Sequence, residues 1–354
     1  MLFRSLRSEV RTDATGLCVI ERAPWGVIGM VLPATHSVPT MASNAINIIA
    51  AGNSAVFSPH PAAKKVAAIA LRRFNQEMAR ETGVANAITT VAEPSIRAVE
   101  EVFHHPGVAL LCVTGGPNVV RAAAKAGKRV IAAGPGNPPV VVDETADLDL
   151  AARSIVAGAS FDNNLLCIGE KEVFVLEPFF DKFMAMLEKH GAYRLNDAQV
   201  ERLTKAAFVF PPGQGAGCPH PVVNRDLVGK DAEVLAKTAG ANIPAGTQLL
   251  FAETKADHLF VEEEQMMPFL PVVRVKTVEE GIAEAKKAEH GYKHSAIIHS
   301  HDVANMTAMG KALETTLFIK NGSCMAGLGS GGEGYANFSI ATTTGEGICN
   351  PRTF

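Results

Sequence analysis

No run of about twenty apolar residues occurs in this 354-residue sequence, so nothing in it reads as a membrane-spanning helix. The six cysteines (Cys18, Cys112, Cys167, Cys218, Cys324 and Cys349) include no C-x-x-C pair. Scattered in a chain too long to need staples, they point to free thiols in a reducing cytoplasm rather than to a disulfide framework. An excess of one charge is also missing: 33 Lys and Arg stand against 36 Asp and Glu, a net charge of −3. That balance leaves no electrostatic footprint for nucleic acid or for an anionic membrane. A P-loop is absent, because Gly127-Lys128 is followed by Arg129. Metal binding is not supported either. His104-His105, Cys218-Pro219-His220 and His299-Ser300-His301 have no second pair at zinc-site spacing, and eleven histidines make chance neighbours expected. The Arg-rich opening MLFRSLRSEVR imitates a transit peptide, but Glu9 and Asp13 fit a β-hairpin better.

What is present is alternation. Short apolar runs at Val27–Leu32, Ala55–Phe57, Ile88–Val91, Val108–Val113, Val130–Ala133 and Val140–Val142 read as strands. Helical spacing predicts helices over 39–51, 62–80, 95–103, 117–126 and 147–160, the second with Val66, Ile69, Ala70 and Phe74 inward. The second half repeats the theme, with strands at Glu172–Leu176, Leu249–Phe251, Val272–Val275, Ala296–His299 and Leu317–Ile319. Its helices are expected over 179–189, 230–238, 278–288 and 302–313, with a loop at 211–219 and a β-prone run at Phe338–Thr344. Continuous apolar strands alternating with helices signal an α/β fold with parallel sheets covered on both faces, and the length favours two lobes.

Chemistry-bearing motifs are few. The G-x-G-x-x-G at Gly327, Gly329 and Gly332 is followed by no amphipathic helix, which makes it a poor dinucleotide loop. The turns Phe57–Pro61 and Val113–Pro117 each leave a strand and enter a helix. They suit phosphate or adenosine binding and equally suit plain connections. Cys167 sits in Asp162-Asn163-Asn164-Leu165-Leu166-Cys167, between a helix and a strand. A loop there exposes a thiol to substrate and frees backbone N–H groups for an oxyanion, whereas a thiol inside a core strand, such as Cys112, is the inert kind.

Three stretches, AAGNSAVFSPHPAAKK, AAGPGNPPVVVDETADLDLAARSIVAGASFDNNLLC and IATTTGEGICNPRTF, resemble the CoA-acylating branch of the aldehyde dehydrogenase superfamily. The likeness is strongest to the propionaldehyde and acetaldehyde dehydrogenases of bacterial microcompartments, and it runs from Ser8 to Phe354. It implies an aldehyde-dehydrogenase-like fold: two doubly wound parallel-sheet lobes plus an oligomerisation hairpin. The corresponding segments here are a hairpin in residues 1–23, a cofactor domain over 24–135, a catalytic domain over 136–335 and an oligomerisation tail from 336 to 354. The helices that usually open the cofactor domain are expected to precede this stretch.

The resemblance makes Cys167 the nucleophile and NAD and coenzyme A the cosubstrates, with CoA using the same adenosine pocket. Cofactor contacts would come from Thr35, Ser58, Pro59, His60, Pro61, Thr114, Gly115, Gly116, Gly134 and Glu264. Asn164, Leu166, Ser323, Cys324 and Met325 would line the pocket of a short aliphatic aldehyde, propionaldehyde first and acetaldehyde next. A homodimer or homotetramer in the bacterial cytoplasm, as cargo of a microcompartment, is implied as well. Two departures matter. Ala132 stands where hydrolytic relatives carry a general-base glutamate. Water needs that base, whereas a thiol of pKa roughly 8.5 is a few per cent ionised near neutrality, so its loss favours thiolysis. His36 stands where the family offers an oxyanion-binding asparagine; either its ring N–H or the Cys167 backbone N–H would donate instead. His294, in HGYKHSAIIHS, is expected to serve structure or to help deprotonate CoA. The Cys167 thiol itself is expected below its ordinary pKa. The competing readings are a hydrolytic semialdehyde dehydrogenase and a non-catalytic NAD- or CoA-binding scaffold.

Overall fold

The computed structural model describes residues 6–210, 221–332, 334–342 and 344–354; the expected loop at 211–219, with Cys218, and His220 after it, lie outside them. Two compact units emerge, one comprising Met1–Gly134 with Gly334–Phe354, the other Pro135–Glu333.

The first unit opens on a hairpin of β1 (Glu9–Asp13) and β2 (Gly16–Ile20), paired antiparallel from Glu9↔Ile20 to Asp13↔Gly16. There follow β3 (Val27–Val31), α1 (Ser37–Ala50), β4 (Ser54–Ser58), α2 (Lys64–Thr82), β5 (Ile88–Thr90), α3 (Ile96–His104), β6 (Val108–Thr114), α4 (Pro117–Ala124) and β7 (Arg129–Ala133). Their sheet is wholly parallel, in the order β5-β4-β3-β6-β7. The chain therefore builds outward from β3 on one side and then jumps back to place β6 on the other. The gap between the carboxyl ends of β3 and β6 is the switch point at which open α/β sheets bind ligands. Helix α2 presents a different face from the one expected. Val66 and Ile69 are exposed, while Ala67 and Leu71 are buried with Ala70, Phe74 and Met78 packed beside them. A turn of 3-10 helix at Pro61–Ala63 leads into α2 and buries Ala63, so the inward stripe runs through 63, 67, 70, 71, 74 and 78. Alanine there lets the helix lie close on the sheet.

The second unit contains β8 (Pro139–Val142), α5 (Leu148–Ser160), β9 (Glu172–Leu176), α6 (Glu177–Lys189), β10 (Tyr193–Arg194), α7 (Asp197–Ala207), β11 (Phe208–Val209), β12 (Val222–Val223), α8 (Ala232–Ala239), β13 (Leu250–Thr254), α9 (Leu259–Glu262), β14 (Phe269–Val275), α10 (Val278–Ala288), β15 (Ser295–His299), α11 (Val303–Leu313) and β16 (Leu317–Lys320). Seven strands pair in parallel in the order β10-β13-β14-β9-β8-β15-β16. Helix α7 was not among the expected elements, although its start is written in the sequence. Asn196 and Gln199 form a reciprocal capping box, each side chain accepting from the other's backbone N–H. Of the G-x-G-x-x-G glycines, Gly327 falls on a short 3-10 turn at Cys324–Leu328, Gly329 ends it and Gly332 lies beyond it.

The tail adds β17 (Ile340–Ala341) and β18 (Gly347–Ile348), paired antiparallel with each other. The β-prone run at Phe338–Thr344 thus yields only a two-residue strand, because its polar residues are drawn into bonds with the first unit. Asn44 Nδ2 donates to Ser339 Oγ at 2.8 Å and to Thr40 O at 3.0 Å. Ser339 Oγ in turn lies 3.2 Å from Thr114 Oγ1, at the end of β6. Asn337 Nδ2 donates to Cys349 O at 2.9 Å. All four side-chain bearers are buried, so breaking one bond leaves a dry polar atom behind. Asn44→Ala is expected to destabilise the first unit by about 1–3 kcal/mol, read by urea unfolding. Ser339→Ala added to it should cost less than it does alone, because the two share one bond.

Candidate active site

In the first unit the expected cofactor residues gather at the carboxyl ends of the parallel strands. Thr35 and His36 follow β3, Ser58 ends β4 and leads into Pro59-His60-Pro61, Thr114 ends β6, and Gly134 follows β7. Gly115 and Gly116 join Thr114 to α4, whose N-terminus has no side-chain cap and begins with Pro117. A Cβ on Gly116 would meet open space. The hydroxyls of Ser37, Thr40 and Ser58 are buried and have no hydrogen-bond partner among the described residues. Orphaned hydroxyls and a bare helix N-terminus at a switch point are the complement of ribose hydroxyls and phosphates. These residues fit the ADP portion of NAD.

His36 is placed differently from a ready oxyanion donor. Its ring is buried, Nδ1 lies 2.7 Å from Thr35 Oγ1, and a ring N–H is given to the Phe338 carbonyl. The ring also packs on Phe338, with centroids 5.7 Å apart. Burial pushes its pKa down to about 4. The Phe338 carbonyl works the other way, raising it.

The second unit holds the candidate nucleophile, Cys167, and it does so at the opposite ends of its strands. Gly136 precedes β8, Cys167 precedes β9, Glu264 precedes β14 and His294 precedes β15, so four segments converge at amino-terminal strand ends. Cys167 lies on a turn closed by Gly169 N–H donating to Leu166 O at 3.0 Å. The approach to that turn is strained: Asp162, Asn163 and Asn164 all have positive φ, 49°, 53° and 58°. What holds it is a pair of side chains. Lys171 Nζ donates to Asn164 O at 2.7 Å and to Asn164 Oδ1 at 2.8 Å, and Asn164 Nδ2 donates to Glu170 O at 2.9 Å. The segment carrying Cys167 is therefore pinned at both ends by one asparagine. Two glycines let it seat. A Cβ on Gly169 would run into Asn164 Oδ1, and one on Gly136 would lie 2.6 Å from Cys167 O and 2.8 Å from His294 Cγ.

Burial dominates the electrostatics. The Cys167 thiol is pushed up to about 12, by burial first and the Glu264 carboxylate second, with Lys171 and the residue's own backbone N–H working the other way. This overturns the expectation of a thiol below its ordinary pKa. Glu264 is itself raised by burial, against Lys171 and a hydrogen bond from Gly136 N–H. Glu170 and Glu172 are fully buried beside Lys171. Burial pushes Glu170 up to about 7, while its Oε1 accepts from Cys324 N–H at 2.8 Å. Glu172 is raised well above the carboxylate range by burial, and neither of its oxygens has a hydrogen-bond partner among the described residues. Cys324 is raised by burial and by Glu170.

Several expected pocket residues are thus accounted for within this unit. Asn164 has its polar groups engaged by Lys171 and Glu170, Leu166 is buried beside Cys167, and Cys324 is tied to Glu170, with Ser323 capping the 3-10 turn through Met325 N–H. His294 is buried, 2.7 Å through Nδ1 from Ser295 Oγ, and its N–H donates to Glu289 Oε1 at 2.9 Å. Lys171, Glu170, Gly136 and Gly158 were not anticipated. Three charged residues in succession head an apolar strand, a pattern that ordinarily marks solvent, and Gly158 makes room for them: a Cβ there would overlap the Glu170 carboxylate. A separate open cleft of about 1440 Å³, at the carboxyl ends of β10 and β13, is lined by residues such as Arg194, Glu253 and His258. It includes none of the expected site residues.

Glu170 makes the pH dependence of stability testable. Its pKa in the fold, about 7, exceeds the ordinary 4.5, so the folded protein binds an extra proton between those values and loses stability as pH rises through them. Glu170→Gln keeps an acceptor for Cys324 N–H and removes the titration. Melting temperatures from pH 5 to 8 should therefore move in favour of the variant as pH rises.

The sequence profile described as "Aldehyde dehydrogenase family" matches residues 2–337. An acetaldehyde dehydrogenase (acetylating) EutE of Salmonella typhimurium is 50% identical over 350 residues, 99% of this chain and 74% of that protein. A propionaldehyde dehydrogenase of Rhodopseudomonas palustris, solved with bound CoA and an acylated cysteine, superimposes with a TM-score of 0.92 at 42% identity, covering 99% of this chain and 78% of that one. A propionaldehyde dehydrogenase from the fucose utilisation bacterial microcompartment of Clostridium phytofermentans gives a TM-score of 0.93 at 38% identity, over 99% of this chain and 78% of that one. The chain belongs to the aldehyde dehydrogenase family.

Proposed function

We propose that this protein oxidises a short aliphatic aldehyde to its acyl-CoA through a thioester on Cys167. The observation that carries the reading is the turn holding Cys167, pinned at both ends by Asn164 and set among Lys171 and Glu264. The Cys167 sulfur, as thiolate, attacks the carbonyl carbon, forming a C–S bond and placing the carbonyl electrons on oxygen. The backbone N–H of Cys167 receives that oxyanion. NAD, when bound, supplies the acceptor for the hydride that leaves this carbon. Collapse of the oxyanion then leaves a thioester on Cys167. The CoA thiolate attacks that thioester, a new C–S bond forms, and the bond to Cys167 breaks to return its thiolate.

The chain offers little help to water as the competing nucleophile. Ala132, at the position of the hydrolytic base, is buried in β7 with its N–H donated to Thr344 Oγ1 at 3.0 Å. The acylated cysteine found beside CoA in the Rhodopseudomonas relative supports the thioester as the stage that CoA consumes. In the first unit, Ser58, Thr114, Gly115 and Gly116 would hold the ADP portion of NAD. Ser323, Cys324 and Met325 would restrict the aldehyde to two or three carbons, as in the substrates named for the relatives. The hairpin β1–β2 exposes Val10, Leu17 and Val19, which suits pairing with another copy of the chain. The Clostridium relative supports residence within a microcompartment.

NADH formation measured with and without CoA tests the reading. With CoA omitted, absorbance should stop after about one equivalent per site, and mass spectrometry should find the acyl group on the peptide containing Cys167. Sustained NADH formation without CoA would establish hydrolysis instead. Cys167→Ala should lower turnover by at least about 10⁴-fold, and NAD binding without turnover in the unaltered protein would favour the scaffold reading.

A further inference from the structure

We propose that Lys171 is the positioning residue of the nucleophile: it closes the turn from Asn164 to Lys171 and keeps a buried positive charge within electrostatic reach of the Cys167 sulfur. The inference rests on the reading of Cys167 as nucleophile, and its first readout, alkylation, does not require aldehyde turnover.

The geometry is specific. Lys171 is fully buried, yet its Nζ donates two hydrogen bonds to one residue, Asn164, at 2.7 and 2.8 Å. Its backbone is fixed as well, with N–H donating to Pro138 O at 3.1 Å and its carbonyl accepting from Gln265 Nε2 at 3.2 Å. Those anchors bind it to the segments that carry Gly136 and Glu264. A lysine buried merely to fill space would be replaceable by a methionine at lower desolvation cost. Burial lowers the Lys171 pKa, and the ionisable groups around it work the other way: Glu264 before β14, Cys167 on the turn, Cys324 after β16 and Glu172 on β9, with Glu170 adjacent. Glu264 opposes the thiolate, and Lys171 favours it. The asparagine clasp takes two of the three ammonium hydrogens and so fixes where the charge sits.

The test is alkylation of Cys167 by iodoacetamide in the ligand-free protein from pH 7 to 9.5, read by mass spectrometry of the peptide containing residue 167. Only the thiolate reacts, so the rate reports its population. Lys171→Met should slow alkylation by about tenfold or more at each pH, and Lys171→Arg, which keeps the charge, should recover most of that loss. Unchanged alkylation in Lys171→Met would overturn the proposal, as would an arginine variant as slow as the methionine one with an intact circular dichroism spectrum. Should Lys171→Met fail to fold, Asn164→Ala keeps the charge while loosening the clasp. It should lower kcat by about tenfold or more while leaving KM for CoA near its original value, and an unchanged kcat would overturn the clasp. If Cys167 is not the nucleophile at all, the lysine variants still change its alkylation while turnover survives Cys167→Ala, so the two failures are distinguishable.

Discussion

One asparagine and one ammonium set the terms for the second unit. Asn164 sits at positive φ with its side chain spent on Lys171 and on the carbonyl of Glu170, so the strained backbone and the buried charge stabilise each other. Neither would be tolerated alone. A left-handed non-glycine residue costs of the order of 1 kcal/mol, and an uncompensated buried charge costs several. Around them the titratable groups divide by environment. Burial raises Glu172, which has no hydrogen-bond partner among the described residues, well above the carboxylate range; it brings Glu170 to about 7 against the Cys324 N–H, and it lowers Lys171 against its acidic neighbours.

The two sheets use opposite ends of their strands. In the first, ligand-binding features collect at the carboxyl ends of β3, β4 and β6, as the winding of the sheet requires. In the second, the segments entering β8, β9, β14 and β15 converge at the amino ends, bringing Gly136, Cys167, Glu264 and His294 together. These four come from stretches well separated in sequence, and central strands with short entries are what make their meeting rigid. The carboxyl end of the same sheet carries an open cleft lined by mixed charges and no nucleophile. The usual rule for locating sites in parallel sheets would therefore have pointed to the wrong end of this unit.

Much of the layout was legible because apolar runs and helical spacing are local. The strands from Val27 to Val142 and the helices α5, α10 and α11 fall where periodicity puts them. The face of α2 was misjudged, because alanine carries too little hydrophobicity to outweigh Val66 and Ile69 in a pattern, although its small size is what permits close approach. Helix α7 escaped notice because its surface is mostly polar, while its capping box was readable. Cys167 was identified by resemblance more than by pattern. Glu170-Lys171-Glu172 could not be placed from composition, since three successive charges ordinarily mark solvent, and only the packing of α5 and the Cys324 turn buries them. The ring of His36 was open to an oxyanion role in the sequence. Its partner Phe338 lies some 300 residues away in the chain, beyond any local reading.

A raised thiol at the centre of thiol chemistry has a consequence for both halves of the reaction. An acyl group moves from Cys167 to CoA only if the Cys167 sulfur departs as thiolate, and a thiolate of high pKa leaves slowly. The same property that makes the free sulfur scarce as a nucleophile also makes it a poor leaving group. Lowering its pKa therefore accelerates attack on the aldehyde, by increasing the thiolate population, and release to CoA, by stabilising the departing charge. Glu264 acts against both steps and Lys171 in favour of both. That fits a chain with Ala132 at the hydrolytic base position: the CoA thiol also gives up a proton in each turnover, but at a pKa of roughly 8.5 it can lose it to solvent, whereas water needs a positioned base.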